Sequence, residues 1–482
     1  MQQKDAYIVI DIGTGNARVV VVQPNGEVLG EARDDIRYVK DELYPESIFF
    51  DPGELWLQIV NLGRQALAQA GPVLIKAFTG TSQREGIVLV GGNGESLIGL
   101  PNIDHRGREW ESIIADKTRV YQLTGRYPTS LFSALKLVGI RERRTDTWKR
   151  TSFFLSISDW IEFQLSGIAK YEHSQASETL LYDVEKKQWS DELLSIFSIE
   201  KTLLPPLQSS ATTIGNVRKN RMEEFGITGE AVVIKGGGDT QLAIKSTQPA
   251  IDDFVIVSGT TTPVVKLVDT YITDPQQRTW TSRNITETGF VFEANAGVTG
   301  LNYQRLKEVF YPNEGYDVIE KELQANQYNE CMASLGSLIA NEKTPLTVGG
   351  FIFPAPVSHE LSRSSFVWAT LLDIGFSIAE NYFVLRDIAG HDPGYVWACG
   401  GGLQSKTLRQ MIANIIGKNV QVRYGFRQSS AVGGALVCNE ALGLAGIFQH
   451  TSIETESPRD SERFESLYSE WRKTRNFFRQ RN

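Results

Sequence analysis

Sulfur and histidine are scarce in this chain. Three cysteines in 482 residues, Cys331, Cys399 and Cys438, lie far apart and are odd in number. That excludes a disulfide framework and points to a reducing compartment, the cytoplasm. The five histidines are dispersed, so no zinc-type ligand spacing arises. No apolar run approaches about 20 residues, so no spanning helix and no membrane partner are expected. The opening Met1-Gln2-Gln3-Lys4-Asp5 is polar and is not read as a secretory leader. Basic residues are outnumbered, 49 against 57 acidic ones, for a net charge of −8. That balance argues against a nucleic-acid partner. Low-complexity linkers are also missing, so the parts of the chain should be closely joined.

What is present is enough for two domains: 482 residues with 41% apolar and 22% charged side chains. The most informative stretch runs from Tyr7 to Gln23. An apolar strand, Tyr7–Ile10, meets Asp11, a tight Gly13-Thr14-Gly15 turn follows, and Val19–Val22 returns as a second strand. Glycines let the backbone approach a ligand and aim successive N–H groups at an anion. A carboxylate at the strand end can hold a hydrated magnesium ion. The plainer alternative is a hairpin whose turn simply needs glycine. Pro24-Asn25-Gly26 then turns the chain into a third strand, Val28–Ala32.

Asp51, Pro52 and Glu54 open a helix with Leu55, Ile59, Leu62 and Ala66 on one face, and Gly71-Pro72 stops it. Val73–Phe78 reads as a strand delivering Thr79-Gly80-Thr81-Ser82 into a loop. Strands and helices alternate to about residue 245, which gives an α/β fold with a mixed sheet. The opening pattern then recurs. Asp253–Val257 is a strand, Ser258-Gly259-Thr260-Thr261-Thr262 a turn and Val264–Val268 a strand. A duplication with its junction at Gln248-Pro249 divides the chain into domains 1–246 and 247–482. A third glycine cluster, Gly400-Gly401-Gly402, follows the strand Val396–Cys399 and precedes a helix capped by Ser405, which is either a nucleotide-binding arrangement or an αβ unit turning a corner. The small residues Ser429–Ala435 read as a closely packed helix, and Ser457–Asn482 as an amphipathic terminal helix.

Two further clusters carry chemistry. Ala231–Ile234 ends in Gly236-Gly237-Gly238-Asp239, where the glycines leave room for a substrate hydroxyl beside a carboxylate that can act as general base. A helix-capping aspartate is the alternative. Asp11 and Asp239 share this design, and two strand-end carboxylates suit metal-assisted phosphoryl transfer. Gln83, Arg84 and Glu85, with Asn102, Asp104 and Arg106 nearby in sequence, supply the donors and acceptors that a polyol needs.

These pieces resemble the FGGY family of carbohydrate kinases over nearly the full length. Asp11 to Arg18 looks like that family's first phosphate motif, and Ser258-Gly259-Thr260 like the second. Gly400–Gly402 looks like its adenosine motif, and Ser156–Trp160 with Leu165-Ser166-Gly167 like its internal Asp-Trp signature. The resemblance implies two actin-like (ribonuclease H-like) domains with an interdomain active-site cleft, and cytoplasmic phosphorylation of a small sugar or polyol-like metabolite by ATP with Mg²⁺. A homodimer is allowed and not required. It implies Asp239 as catalytic base and Asp11 and Asp239 at the metal. Gln83, Arg84, Glu85 and Asp104 would bind substrate in the N-terminal domain. Gly13, Thr14, Gly15, Asn16, Arg18, Gly259, Thr260, Gly400, Gly401, Gly402 and Ser405 would bind ATP, most of it through the C-terminal domain. Residues 82–89, 101–106 and 157–160 look most similar to the autoinducer-2 kinase branch, whose substrate is a C5 dihydroxy-ketone. Asn16, Thr240 and Leu131 depart from other members, the last two from glycerol kinases, which makes glycerol a poor candidate. Xylulose- or gluconate-type kinases often carry Met-His where this chain has Arg84-Glu85. A non-catalytic actin-like ATP-binding protein would need no such substrate apparatus.

Overall fold

The computed structural model describes residues 4–286, 288–325, 330–448 and 452–481. Its first sheet grows from the N-terminal hairpin. β1 (Lys4–Ile12) and β2 (Asn16–Val22) pair antiparallel, with Tyr7 opposite Val22 and Ile12 opposite Ala17, and β3 (Val28–Asp35) extends the meander. Gly26 turns β2 into β3 at φ 85°, a conformation glycine adopts without strain. Helix α1 (Pro52–Ala70) starts where Asp51 accepts the N–H groups of Gly53 and Glu54, and buries Leu55, Ile59, Leu62 and Ala66.

β4 (Val73–Ser82) runs parallel to β1, and β5 (Thr213–Asn216) and β6 (Val232–Gly238) complete the order β5-β6-β4-β1-β2-β3. Thr79–Ser82, expected in a loop, are the last four residues of β4. The strand is central, so β1 and β6 supply ladder partners to its very end. The glycines Gly236–Gly238 likewise belong to β6 and not to a turn after it. Helix α2 (Ile157–Ser166) packs on β4 and β6, and α3 (Asp239–Ser246) follows β6 with no intervening loop.

The pattern repeats later in the chain. β7 (Phe254–Val257) and β8 (Thr261–Val268) form an antiparallel hairpin, with β9 (Phe290–Val298) beside β8. Helices α4 (Gly300–Phe310) and α5 (Arg363–Ala389) lead to β10 (Tyr395–Cys399), which is parallel to β7. After α6 (Lys406–Ile416), β11 (Asn419–Arg423) is parallel to β10. The order β9-β8-β7-β10-β11 matches β3-β2-β1-β4-β6, as the duplicated hairpins suggested.

Helix α7 (Ser429–Ala441) modifies the linear division at residue 246. The chain forms two compact units: residues 1–246, 269–291 and 429–450 in one, and 247–268, 292–428 and 451–482 in the other. Two segments of the C-terminal half therefore complete the first unit. The small residues of α7 explain one of them. A Cβ on Gly433 would lie 1.9 Å from the Leu242 carbonyl of α3, and one on Gly434 2.8 Å from Val9 of β1. Only glycine permits that approach. In the second unit the terminal helix α8 (Ser461–Arg479) buries Phe464, Trp471 and Phe478. Among the described residues, no helix is long and apolar enough to cross a membrane.

Candidate active site

The first unit gathers its chemistry at the carboxyl ends of three neighbouring parallel strands, where open α/β sheets bind ligands. Asp11 of β1 lies opposite Thr81 of β4, and Gly237 and Gly238 of β6 lie opposite Thr81 and Ser82. Asp11 is therefore level with Gly237, two strand spacings or about 10 Å away across β4, and Asp239 follows two residues later as the first residue of α3.

Each carboxylate is held by one oxygen. Asp11 Oδ2 accepts from Arg18 Nη2 at 2.6 Å and from Ser430 Oγ at 2.6 Å, and Arg18 also donates to Ser430 Oγ at 2.7 Å. Asp239 Oδ1 accepts the Thr240 N–H at 2.6 Å. Burial raises Asp239 to about 6, Arg84 opposes the shift, and the negative charge of Asp11 adds to it. A carboxylate with that pKa is tuned for proton transfer near neutral pH.

Ser82 at the end of β4 leads directly into Gln83, Arg84 and Glu85. Gln83 stitches three segments together. Its Nε2 donates to Gly13 O at 3.1 Å and to the Tyr38 hydroxyl at 3.4 Å, and its Oε1 accepts the Asn102 N–H at 2.8 Å. Asn102 in turn donates to Thr14 Oγ1 at 3.0 Å, so Gln83 and Asn102 set the shape of the Gly13–Gly15 turn. The Arg84 guanidinium lies 5.9 Å from the Trp280 ring centroid and 3.9 Å from Glu178. Glu178 also pairs with Arg126, which stacks 4.7 Å from the same ring. Glu85 sits at φ 62° with its carboxyl buried. Desolvation and the nearby Glu178 charge push it up to about 8. Lys136 is driven down to about 8 by burial, opposed by Asp104 and Glu85.

Asp104 is fully buried, and both its oxygens are engaged, one by Arg106 Nε at 2.7 Å and one by the Ile48 N–H at 3.2 Å. It faces the Glu85 cluster through Lys136, so its part there is to hold Lys136 and Arg106. The sequence gives no hint that Ser430, Arg126, Glu178, Trp280 and Lys136 belong to the site. Ser430 is 419 residues from the carboxylate it holds, and no local signal marks it.

The second unit brings two of the glycine clusters together. Gly259 and Thr260 form the exposed tip of the β7–β8 turn. Gly400–Gly402 pack onto that turn, with Gly402 N–H donating to Ser258 O at 2.9 Å. A Cβ on Gly400, at φ 97°, would lie 2.2 Å from the same carbonyl. The amino end of α4 closes on the turn as well: Leu301 N–H reaches Thr260 O at 3.3 Å, and a Cβ on Gly300 would lie 2.0 Å from Gly259 O. Turn amides and a helix amino terminus together favour an anion. A cavity of about 330 Å³ lies alongside, lined by Asn302, Arg305, Leu306, Leu335 and Gly336 among others. Ser405 caps α6 at the Leu408 N–H and donates to Glu320, so its hydroxyl serves the fold.

Comparison with known proteins bears on this geometry. The N-terminal domain model of the FGGY family of carbohydrate kinases matches residues 6–245, and its C-terminal domain model matches 335–442. A Bacillus subtilis (strain 168) protein named "Putative sugar kinase YoaC" is 47% identical over 480 residues, which span 99% of this chain and 98% of that protein. Autoinducer-2 kinase of Escherichia coli (strain K12) is 25% identical over 504 residues, spanning 98% and 94% of the two chains. Two solved structures share the fold. Ligand-bound xylulose kinase from Lactobacillus acidophilus aligns with a TM-score of 0.82 at 19% identity, covering 98% of each chain. Plasmodium falciparum glycerol kinase with ADP aligns with a TM-score of 0.83 at 17% identity, covering 99% of each. With both domain models matched in order and nearly half of its residues shared with a full-length relative, this chain belongs to the FGGY family of carbohydrate kinases, phosphotransferases with an alcohol acceptor.

Proposed function

We propose that the enzyme transfers the γ-phosphoryl group of ATP to a hydroxyl of a small ketose- or polyol-like metabolite, with Asp239 as general base. The observation that carries this reading is that Asp11 and Asp239 sit at the carboxyl ends of β1 and β6, on either side of β4, with burial and the Asp11 charge lifting Asp239. The first unit binds the acceptor: Arg84 offers guanidinium donors and Glu85 a carboxyl, while Gln83 shapes the wall beside them by holding the Gly13–Gly15 turn. Asp239 removes the hydroxyl proton as the oxygen attacks phosphorus, and the bond to the ADP oxygen breaks. The second unit binds the nucleotide through Gly259, Thr260 and Gly400–Gly402, while Thr14 and Gly15 offer further amides to phosphate.

Among the described residues there is no cluster of three or more His, Cys, Asp or Glu that could enclose a metal. Two separate aspartates, each with one oxygen unengaged by protein, suit a magnesium ion that keeps most of its waters. Asp11 and Asp239 would hold it, and when bound it neutralises phosphate charge. Arg18 and Ser430 orient Asp11 for that role.

The finer reading is a C5 dihydroxy-ketone of the autoinducer-2 type. It draws on the full-length likeness to autoinducer-2 kinase and on Arg84-Glu85 in the acceptor cluster. A xylulose- or ribulose-type ketose is the second candidate. A coupled ADP-release screen across C3–C7 polyols, ketoses, sugar acids and dihydroxypentanedione tests both. Turnover confined to sugar acids or to glycerol would overturn both substrate readings.

A further inference from the structure

The Asp-Trp signature at the start of α2 has no place in the chemistry above, yet it lies directly beneath the strand that presents Asp239. Between Ile234 and Gly237 the β6 ladder advances three residues while its partner β4 advances two, from Thr79 to Thr81. One residue of β6 is therefore extra, and the strand bulges at Lys235–Gly236, three to four residues before the base. Bulges re-aim the residues that follow them and are common beside active sites. A bulge also strands backbone N–H groups that the ladder would have satisfied, and buried orphans are costly.

Here a side chain takes the stranded group. Gly236 N–H donates to Glu162 Oε1 at 2.7 Å. The other Glu162 oxygen accepts from Lys235 Nζ at 2.7 Å, and Lys235 also reaches Asp159 Oδ1 at 2.5 Å and Lys170 O at 3.0 Å. Asp159 and Glu162 stand three apart on α2 and so share a face. Asp159, Glu162 and Lys235 are all buried. Past the bulge, Gly238 N–H donates to Ser174 Oγ at 3.0 Å, and the Ser174 hydroxyl donates to Glu172. The Glu172 N–H returns to Asp159 Oδ1 at 3.2 Å. The strand end is thus gripped before and after Gly237 by one connected network. Gly236 also has no alternative residue, because a Cβ there would lie 1.8 Å from Gly80 O.

We propose that Glu162, locked by Lys235 and Asp159, is a positioning residue for phosphoryl transfer: it fixes the β6 bulge and with it the place of the Asp239 carboxylate. The inference rests on Asp239 as general base. Glu162 touches no reacting atom, so its loss should misplace the base without weakening either ligand. A displacement of about 1 Å at a reacting group can lower turnover by about 100-fold.

The test uses the full chain with MgATP and the acceptor of highest turnover in the screen above. Glu162→Ala is expected to lower kcat about 10- to 100-fold and leave KM for ATP and acceptor within about 3-fold. Amide hydrogen exchange should rise in peptides covering 232–240. Glu162→Gln keeps an oxygen for the Gly236 N–H but turns its NH2 toward Lys235, and is expected to recover part of the rate. If Glu162→Ala yields no folded protein, Glu162→Gln with Lys235→Met removes the ion pair but keeps that acceptor, and should stay within about 5-fold of wild type in kcat. Folded Glu162→Ala with kcat within twofold of wild type, or Glu162→Gln or the double variant crippled as badly as a simple loss of the base, would overturn the proposal. The base assignment fails separately, if Asp239→Asn retains the wild-type rate.

Discussion

The two glycine turns that open the two sheets are alike in sequence and opposite in chemistry. Gly13 N–H bonds Asn16 O at 3.0 Å, and Gly259 N–H bonds Thr261 O at 2.9 Å. Both tips are exposed, and both carry Gly-Thr. Behind the first turn stand Asp11, Arg18, Gln83 and Arg84, with Asp239 two strands away. Behind the second, Val257 occupies the position of Asp11, and the neighbours are the hydroxyls of Ser258, Thr262 and Thr299 and the glycines 300, 400 and 402. A duplicated hairpin supplies two anion-binding turns. Only one copy was given carboxylates and a guanidinium fork, and the proposed division between acceptor chemistry and nucleotide binding rests on that asymmetry.

The sharpest way to break the comparison is to remove the charge from the first side. Asp239→Asn should lower kcat by about 10²- to 10⁴-fold, the usual range for a lost general base, while ATP affinity by calorimetry stays nearly unchanged. An unchanged rate would leave the two turns functionally equivalent. Arg84→Ala should raise KM for the acceptor by about 10- to 100-fold, in keeping with a lost charged hydrogen bond, and move KM for ATP by less than about 3-fold. Equal effects on both would assign Arg84 to the nucleotide.

The pH profile sharpens the same contrast. Asp239 is held at about 6, above the ordinary carboxylate range, and a base works only when deprotonated. Initial-rate kcat/KM should therefore fall as pH drops through about 6, approaching tenfold per unit below it, and hold steady above. A flat profile down to pH 5 would count against the assignment. The second turn should answer to packing instead. Gly400→Ala sets a Cβ against a backbone carbonyl at φ 97°, whereas Gly402→Ala meets the rotatable Ser258 hydroxyl at 2.2 Å. The first should cost about 1–3 kcal/mol by denaturant titration and raise KM for ATP, and the second should cost less.

Much of the site was legible because its signals are local. The Gly13–Gly15 and Ser258–Thr260 turns, the Asp51 cap and the repeated strand–turn–strand unit each need only a few adjacent residues. Thr79–Ser82 misled because a strand's last residues depend on flanking strands, and β1 and β6 come from far along the chain. The family resemblance puts Asp104 at the substrate. Only the fold revealed that Arg106 and Ile48 occupy both its oxygens. Glu162 offered no signal at all, since an acidic residue on a helix usually faces water, and its partner Lys235 lies 73 positions away.

The amino-acid sequence by itself determined where the chain turns, which strands end in a carboxylate, and that the hairpin is used twice. Those features follow from backbone freedom and side-chain reach over a few residues. The tertiary structure alone decided which carboxylates are open, which are spent on arginine or lysine, and which titrate near neutrality. Dielectric surroundings and charge neighbours are set by segments distant in sequence, and they exist only once the sheet has brought β1, β4 and β6 side by side.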